Sequence, residues 1–252
     1  MPAGALTCAR ACRNVVYGNA EPHSTRGRYL AVMIPLRSLT QLLVLVGAAG
    51  VLAGETAQAQ IPAFAPASRV TPAKGEQIAV FAGGCFWGVD AVFKHVKGVS
   101  SVVSGYSGGA PATARYGVVS TGTTGHAESV QITYDPSQIS YSELLRVFFS
   151  VAHDPTQLNR QGPDVGSQYR SAIFYEGQAE RETAQAYIDQ LNKAHVFSGP
   201  IVTQVAPFEH FYPAEHYHQN YLALHPDQPY IVFNDLPKLR RLKEQFPALY
   251  RQ

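Results

Sequence analysis

Two residues of this chain have types and settings suited to covalent and proton-transfer chemistry, Cys85 and Glu128. Cys85 stands in Gly84-Cys85-Phe86-Trp87-Gly88, where a short apolar run turns through Gly83-Gly84 into a segment of helical spacing. A thiol at a helix start lies beside backbone N–H groups with no partner inside the helix. Those donors and the positive end of the dipole favour thiolate over thiol. Gly84 and Gly88 leave room for another molecule to approach, while Phe86 and Trp87 offer an apolar surface beside the sulfur. The same position also suits a small buried hydrophobe, since free Cys is among the most buried residue types.

Glu128 opens a segment, Glu128 to Tyr134, that alternates strictly, with Val130, Ile132 and Tyr134 on one side and Ser129, Gln131 and Thr133 on the other. Parity puts its carboxyl on the apolar side, where desolvation favours the protonated form that a general acid requires. If the strand begins one residue later, Glu128 is a solvated loop residue instead.

The elements that must position these two groups follow from the hydrophobic pattern. Gln77 to Ala82 reads as a strand, and Val89, Val92, Phe93 and Val96 mark a helix over Phe86 to Lys97. Val99 to Gly105 is a second strand, and Gly105 to Gly125, with six glycines in 21 residues, is a loop too long for idle packing. Ser140 and Glu143 form a capping box before a helix whose Tyr141, Leu144, Leu145 and Phe148 share a face. Ser171 to Tyr175 is a strand, and Ala184, Tyr187, Ile188 and Leu191 mark a helix before Gly199-Pro200. Ile201 to Val205 is the next strand, and Glu215 to Leu224 and Lys238 to Phe246 read as short helices. Interleaved strands and helices give an α/β or α+β class with helices packed on a sheet.

The composition narrows the reading. Of 252 residues 46% are hydrophobic and 15% charged, which excludes a disordered chain, and three cysteines supply no disulfide scaffold. Leu39 to Gly54 carries no charge, follows Arg37 and is succeeded by Ala57-Gln58-Ala59. A basic region, a short apolar core and a small-x-small site make a secretory signal. Its uninterrupted apolar part, Leu42 to Gly54, has 13 residues, short of the roughly 20 that cross a bilayer. We expect cleavage after Ala59, no stable membrane insertion afterwards, and a periplasmic or secreted protein. From Met33 the leader counts 27 residues, so translation is expected to start there.

Removing residues 1–59 leaves 15 Lys and Arg against 16 Asp and Glu, a net charge of −1, with Cys85 as the single cysteine. That balance makes no electrostatic case for a nucleic-acid partner. Residues 60–76, with Pro62, Pro66 and Pro72 and no apolar period, read as a linker, and 77–252 as one domain, expected to be monomeric.

Five ordered motifs then give a resemblance. Gly84-Cys85-Phe86-Trp87-Gly88, Gly122-Thr123-Thr124-Gly125-His126-Ala127-Glu128, His153-Asp154-Pro155-Thr156-Gln157, Asp164-Val165-Gly166-Ser167-Gln168-Tyr169-Arg170-Ser171, and the pair Phe211-Tyr212-Pro213-Ala214-Glu215 and Tyr217-His218-Gln219-Asn220-Tyr221-Leu222 resemble the motifs of the peptide-methionine (S)-S-oxide reductases. The likeness covers roughly Ile78 to His225. It implies a two-layer sandwich of a mixed central sheet with helices, a sulfenic acid intermediate, and action on the S epimer of methionine sulfoxide, in oxidised proteins or free. It also implies roles: Cys85 as nucleophile, Phe86 and Trp87 holding the substrate methyl, Glu128 protonating the sulfoxide oxygen with help from Tyr116 and Tyr169, and Asp164 as a further polar group. Many members carry resolving cysteines near the C-terminus, whereas none follows Cys85 here. The resemblance therefore implies no bound cofactor and an external reductant: a thioredoxin-like or glutaredoxin-like protein, or a small thiol.

Two rival readings remain from the residues themselves. A cysteine hydrolase would pair Cys85 with a histidine, His218 near Asn220 being the obvious choice. A metal-binding module would use His210, Glu215, His216 and His218, although no zinc-ligand spacing is present. The basic cluster Lys238, Arg240, Arg241 and Lys243 reads as a solvated helix face.

Overall fold

The apolar run beginning at Gln77 becomes β1 (Gln77–Gly83), an inner strand of a six-stranded mixed sheet. Ala79 and Phe81 point into the main core, while Val80 and Ala82 belong to a smaller apolar cluster on the opposite face. Cover on both faces explains why this strand reads as continuous rather than alternating. The computed structural model describes residues 61–64 and 75–252. The expected leader lies outside the described residues.

The chain continues through α1 (Phe86–Lys94), β2 (Val99–Ser107), the one-turn helix α2 (Tyr116–Val119), β3 (Ala127–Tyr134) and α3 (Tyr141–Val147). Then come a two-residue pair, β4 (Arg160–Gln161) and β5 (Asp164–Val165), followed by β6 (Ser171–Tyr175), α4 (Gln178–Lys193), β7 (Gln204–Pro207), β8 (Phe211–Pro213), α5 (Tyr221–Leu224) and α6 (Leu236–Gln245). The large sheet runs β7-β6-β1-β3-β2-β8, antiparallel throughout except for β6 beside β7. The α/β class with helices on a mixed sheet is therefore the observed one.

Several boundaries differ from expectation for identifiable reasons. Helix α1 stops at Lys94 rather than Lys97, because Val96 pairs with Tyr250 in an isolated bridge. The strand expected at Ile201 begins at Gln204, since Val202 N–H instead donates to Pro155 O. Glu215 to Leu224 is not one helix: a 3₁₀ turn at His216–His218 is separated from α5 by Asn220 in the left-handed region, φ 56°. The capping box is formed in full, with Ser140 Oγ accepting from Glu143 N–H and Glu143 Oε2 accepting from Ser140 N–H. Within the segment expected as a linker, Ile61–Phe64 lies against the domain: Pro62 O accepts from the Tyr187 hydroxyl and Phe64 packs edge-on to its ring.

Candidate active site

Sheet register brings Cys85 and Glu128 together. Phe81 pairs with Val130 across β1 and β3, so continuing that register sets Glu128 opposite Gly83, two residues before Cys85. On its other side Glu128 pairs with Tyr106 of β2. Cys85 occupies the N-cap of α1, and the next residue, Phe86, donates its backbone N–H to Glu128 Oε2 at 3.1 Å. One of the helix's orphan donors is thus taken by a carboxyl group from a neighbouring strand. Both side chains are 1% exposed. Glu128 lies inside β3 on its core-facing side, which removes the solvated-loop alternative.

The glycine-rich stretch after β2 is folded rather than loose, with a 3₁₀ turn at Pro111–Thr113 and α2 beginning at Tyr116. Tyr116, 2% exposed, donates its backbone N–H to Glu215 Oε1 at 2.9 Å, while Glu215 Oε2 accepts the Tyr106 hydroxyl at 2.9 Å. Those hydrogen bonds hold the Glu215 carboxyl below its ordinary range against the opposing effect of burial. Tyr169 ends the 3₁₀ turn Ser167–Tyr169 and is also buried. Ser167 Oγ donates to Gly122 O at 2.6 Å and Gln168 Nε2 donates to Ser120 O at 3.2 Å. These two bonds button the Tyr169 turn to the segment that follows Tyr116, across 45 and 48 residues of sequence.

Around Trp87 the packing is aromatic. Its indole stacks flat on Tyr221, centroids 3.7 Å apart and planes within 5°, and meets Tyr230 edge-on. Its Nε1–H donates to His218 Nδ1 at 3.2 Å. The His218 ring lies 5.0 Å from Phe86 and 4.4 Å from Tyr116, and burial pushes its pKa down to about 4. Asp164 is buried as well, with Oδ2 accepting the Tyr230 hydroxyl. Desolvation raises its pKa to about 6, against the lowering effects of Tyr230 and the Lys238 charge.

The two glycines flanking this motif do not leave space for an outside molecule, as the sequence suggested. Gly84, φ 89°, presses on the Gln161 side chain, 2.5 Å from where a Cβ would sit. At Gly88 the space belongs to Asp235 Oδ1, 2.1 Å from the Cβ position, and to Lys238 Nζ. Those two form a buried ion pair of 3.1 Å. Lys238 therefore leaves the expected solvated basic face, on which Arg240 and Lys243 remain exposed. The reason is a buried carboxylate three residues earlier, which only a charge partner can offset.

The His153 motif is structural. Burial pushes the His153 pKa down to about 3, and the ring spans Phe148 O and Ser171 Oγ beneath Gly83. Asp154 organises the following turn by accepting from Thr156 N–H, Thr156 Oγ1 and Gln157 Nε2. Gln161, which covers Gly84, is itself bonded to both backbone groups of Asp154.

The rival constellations are not assembled. His218 Nδ1 is occupied by Trp87 and its Nε2 has no hydrogen-bond partner, so neither nitrogen engages a thiol. Asn220 turns away to accept from Lys94 Nζ at 2.7 Å. His210, Glu215, His216 and His218 do not converge: Glu215 is committed to Tyr106 and Tyr116, His216 is exposed and His218 is buried. Among the described residues no group of three or more His, Cys, Asp or Glu side chains is placed to hold a metal ion.

With this geometry in view, residues 77–249 match the family model for peptide methionine sulfoxide reductase. The chain belongs to that family. It is 62% identical over 180 residues to peptide methionine sulfoxide reductase MsrA 2 of Mesorhizobium japonicum, covering 71% of this chain and 92% of the relative. The MsrA 2 of a Synechocystis strain is 56% identical over 176 residues, 70% of this chain and 82% of its own. Among solved structures, methionine sulfoxide reductase A of Corynebacterium diphtheriae superposes with a TM-score of 0.53 at 36% identity, covering 61% of this chain and 77% of that one. Reduced Mxr1 from Saccharomyces cerevisiae gives 0.54 at 33% identity, covering 61% and 87%. A peptide methionine sulfoxide reductase is an oxidoreductase, and its activity is thiol-dependent repair of oxidised methionine.

The sequence alone did not single out Tyr106, Tyr230, Asp235 or Lys238 as contributors to this region. Tyr106 and Tyr230 have partners distant in the chain, and the Asp235–Lys238 pair meets Gly88 from afar; Tyr106 fell in the stretch read as a loop, Tyr230 and Asp235 lay outside the expected elements, and Lys238 read as part of a solvated helix face. The quoted C-terminal signature contained Glu215, His218 and Tyr221, and its density of aromatic and polar residues was the available signal.

Proposed function

We propose that Cys85 is the nucleophile of this reductase and that the S epimer of methionine sulfoxide is its substrate, in proteins or free. The thiolate attacks the sulfoxide sulfur while Glu128 delivers a proton to the oxygen, which leaves poorly until protonated. Oxygen then passes from the substrate sulfur to the Cys85 sulfur as the bond between the two sulfurs breaks, so that methionine departs reduced and Cys85 is left as a sulfenic acid. Tyr116 and Tyr169 hydrogen-bond the oxygen, Phe86 and Trp87 hold the methyl group, and Asp164 adds a polar group at the same site. The observation that carries this reading is the Phe86 N–H bond to Glu128, which supports a carboxyl donor within one residue of the thiol.

Two external thiol groups then return the sulfenic acid to thiol, forming a disulfide and releasing water. Because no cysteine follows Cys85 in the sequence, they come from a thioredoxin-like or glutaredoxin-like protein or a small thiol. Export is part of the same reading, supported by the charge-free stretch Leu39 to Gly54 and the Ala57-Gln58-Ala59 site. The exported form is a monomer working in the periplasm or outside the cell, and N-terminal sequencing should find Gln60 first.

One assay tests the chemistry: the chain from Gln60 is offered both sulfoxide epimers with dithiothreitol, beside Cys85→Ser and Glu128→Gln. Wild type should consume the S epimer alone, Cys85→Ser none, and Glu128→Gln should be slower by roughly 10²–10⁴-fold. A single turnover without reductant should add 16 Da to Cys85, one oxygen. Consumption of both epimers or full activity in Cys85→Ser would overturn it.

A further inference from the structure

Ile61–Phe64 lies in the stretch expected as a linker, yet the domain holds it by its main chain. Three consecutive carbonyls each accept from a different side chain: Ile61 O from Arg146 Nε at 3.0 Å, Pro62 O from the Tyr187 hydroxyl at 2.7 Å, and Ala63 O from Gln190 Nε2 at 3.0 Å. Arg146 stands on α3, and Tyr187 and Gln190 are three residues apart on one face of α4, so two helices grip one short segment. Apolar groups complete the fit at its ends. Ile61 is 6% exposed and belongs to the main core, and Phe64 meets the Tyr187 ring edge-on at 5.6 Å. None of the four residues has a polar side chain, so the contact reads backbone oxygens and apolar bulk alone.

Its position in the chain sets this contact beside a bond expected to be cut. At most ~7 Å of chain separates Ile61 from the Ala59–Gln60 bond. Cleavage adds water across that amide, leaving a carboxylate on Ala59 and an amine on Gln60. A peptidase takes the residues on both sides of the bond in extended form, through their backbone groups. Ile61 cannot offer its carbonyl and side chain to a peptidase while Arg146 and the core hold them. Once the peptidase lets go, removing Ile61 and part of Phe64 from water favours docking.

We propose that the α3–α4 face is a docking site for residues 61–64 that shields the Ala59–Gln60 bond, so that the leader is removed before the segment docks and docking then locks the finished N-terminus onto the domain. The proposal rests on the reading of residues 1–59 as a cleaved leader. A chain that folds before it is cut keeps its leader; a chain cut first gains the contact and its stability.

The test compares two substrates of a purified leader peptidase in detergent: the folded chain from Met33, and a synthetic peptide of residues 33–66 that has no domain to dock on. The peptide should be cut after Ala59 at least tenfold faster than the folded chain. Tyr187→Phe with Gln190→Leu removes two of the three donors without altering the residues the peptidase reads, and should speed cleavage of the folded chain severalfold. Equal rates for the peptide and the folded wild type, or no gain in the variant, would overturn the proposal. Docking is judged separately in the chain from Gln60. There Ile61→Asp should lower the melting temperature by about 5 °C or more. Tyr187→Phe should cost stability in the wild type and less than half as much in the Ile61→Asp background, because the released segment no longer uses the hydroxyl. Equal costs in both backgrounds reject the docking, and this measurement decides even where the double variant fails to fold. If the peptide itself is not cut after Ala59, the leader reading fails, while the melting data still judge the contact.

Discussion

Trp87 and Gly88 are neighbours in the first turn of α1, yet the fold holds their two sides by opposite means. On the Trp87 side the partners are uncharged: a neutral imidazole, a stacked phenol ring and a second ring edge-on. On the Gly88 side a buried carboxylate and ammonium press against the helix backbone, a contact that no side chain larger than hydrogen permits. The surface we propose to hold the substrate methyl has to stay apolar, and a full charge beside it would draw in water. On the far side an ion pair can anchor the helix, at the cost of depending on both partners. The turn that carries Cys85 is thereby clamped between a neutral face and an ionic one.

The largest break in that arrangement should come from Lys238→Met, which leaves Asp235 buried without its cation. We expect a loss of ~3–5 kcal/mol in urea unfolding. Adding Asp235→Leu should recover much of it, because the surviving charge is what destabilises; a double variant no better than the single one would show that the pair acts mainly through packing. Gly88→Ala comes next, at about 1–3 kcal/mol, since the pair must retreat from the new methyl. Its melting temperature should fall even though alanine has the higher helix propensity.

On the aromatic side effects should be smaller. Tyr221→Leu keeps the site apolar but removes the stacked ring, which we expect to cost ~0.5–1.5 kcal/mol beyond the change in buried area. Trp87 emission would register it directly. The smallest effect is a pH signature. His218 has a folded pKa of about 4 against an ordinary 6.5, so between those values the unfolded chain binds the proton first and stability falls as pH drops. Asp164 has a folded pKa of about 6 against 3.8, so there the folded state binds the proton first and stability rises as pH drops. Between pH 4 and 6, the slope of unfolding free energy against pH should become less positive in His218→Asn and more positive in Asp164→Asn. Parallel slopes in all three proteins would refute the assignment.

The elements were mostly legible because their signals are local. Strict alternation in β3, the Ser140–Glu143 capping box and the heptad-like apolar face of α4 each depend on residues within a few positions of one another. The misread segments are those in which a distant partner overrode local pattern. Val96 left its helix to bridge Tyr250, and the segment from Glu215 to Leu224 broke at Asn220, whose side chain is held by Lys94 of α1. Glycine was read correctly as a mark of close approach and wrongly in what approaches: at both Gly84 and Gly88 it is the chain itself.

By itself the sequence determined the order of the longer elements from β1 to α4, the candidate thiol at a strand-to-helix turn, the parity that turns Glu128 inward, and the motifs that mark the family, while α2, β4, β5 and β8 were not read from it. Residue type and short spacing carry all of these. Only the tertiary structure decided that Glu128 Oε2 takes the Phe86 N–H, that Ser167 and Gln168 tie Tyr169 to the Tyr116 segment, and that Trp87 is held by His218. It also decided that Lys238 is buried rather than solvated. Those contacts join residues separated by 42 to 131 positions, and sheet register and burial, which have no local code, determine which of them meet.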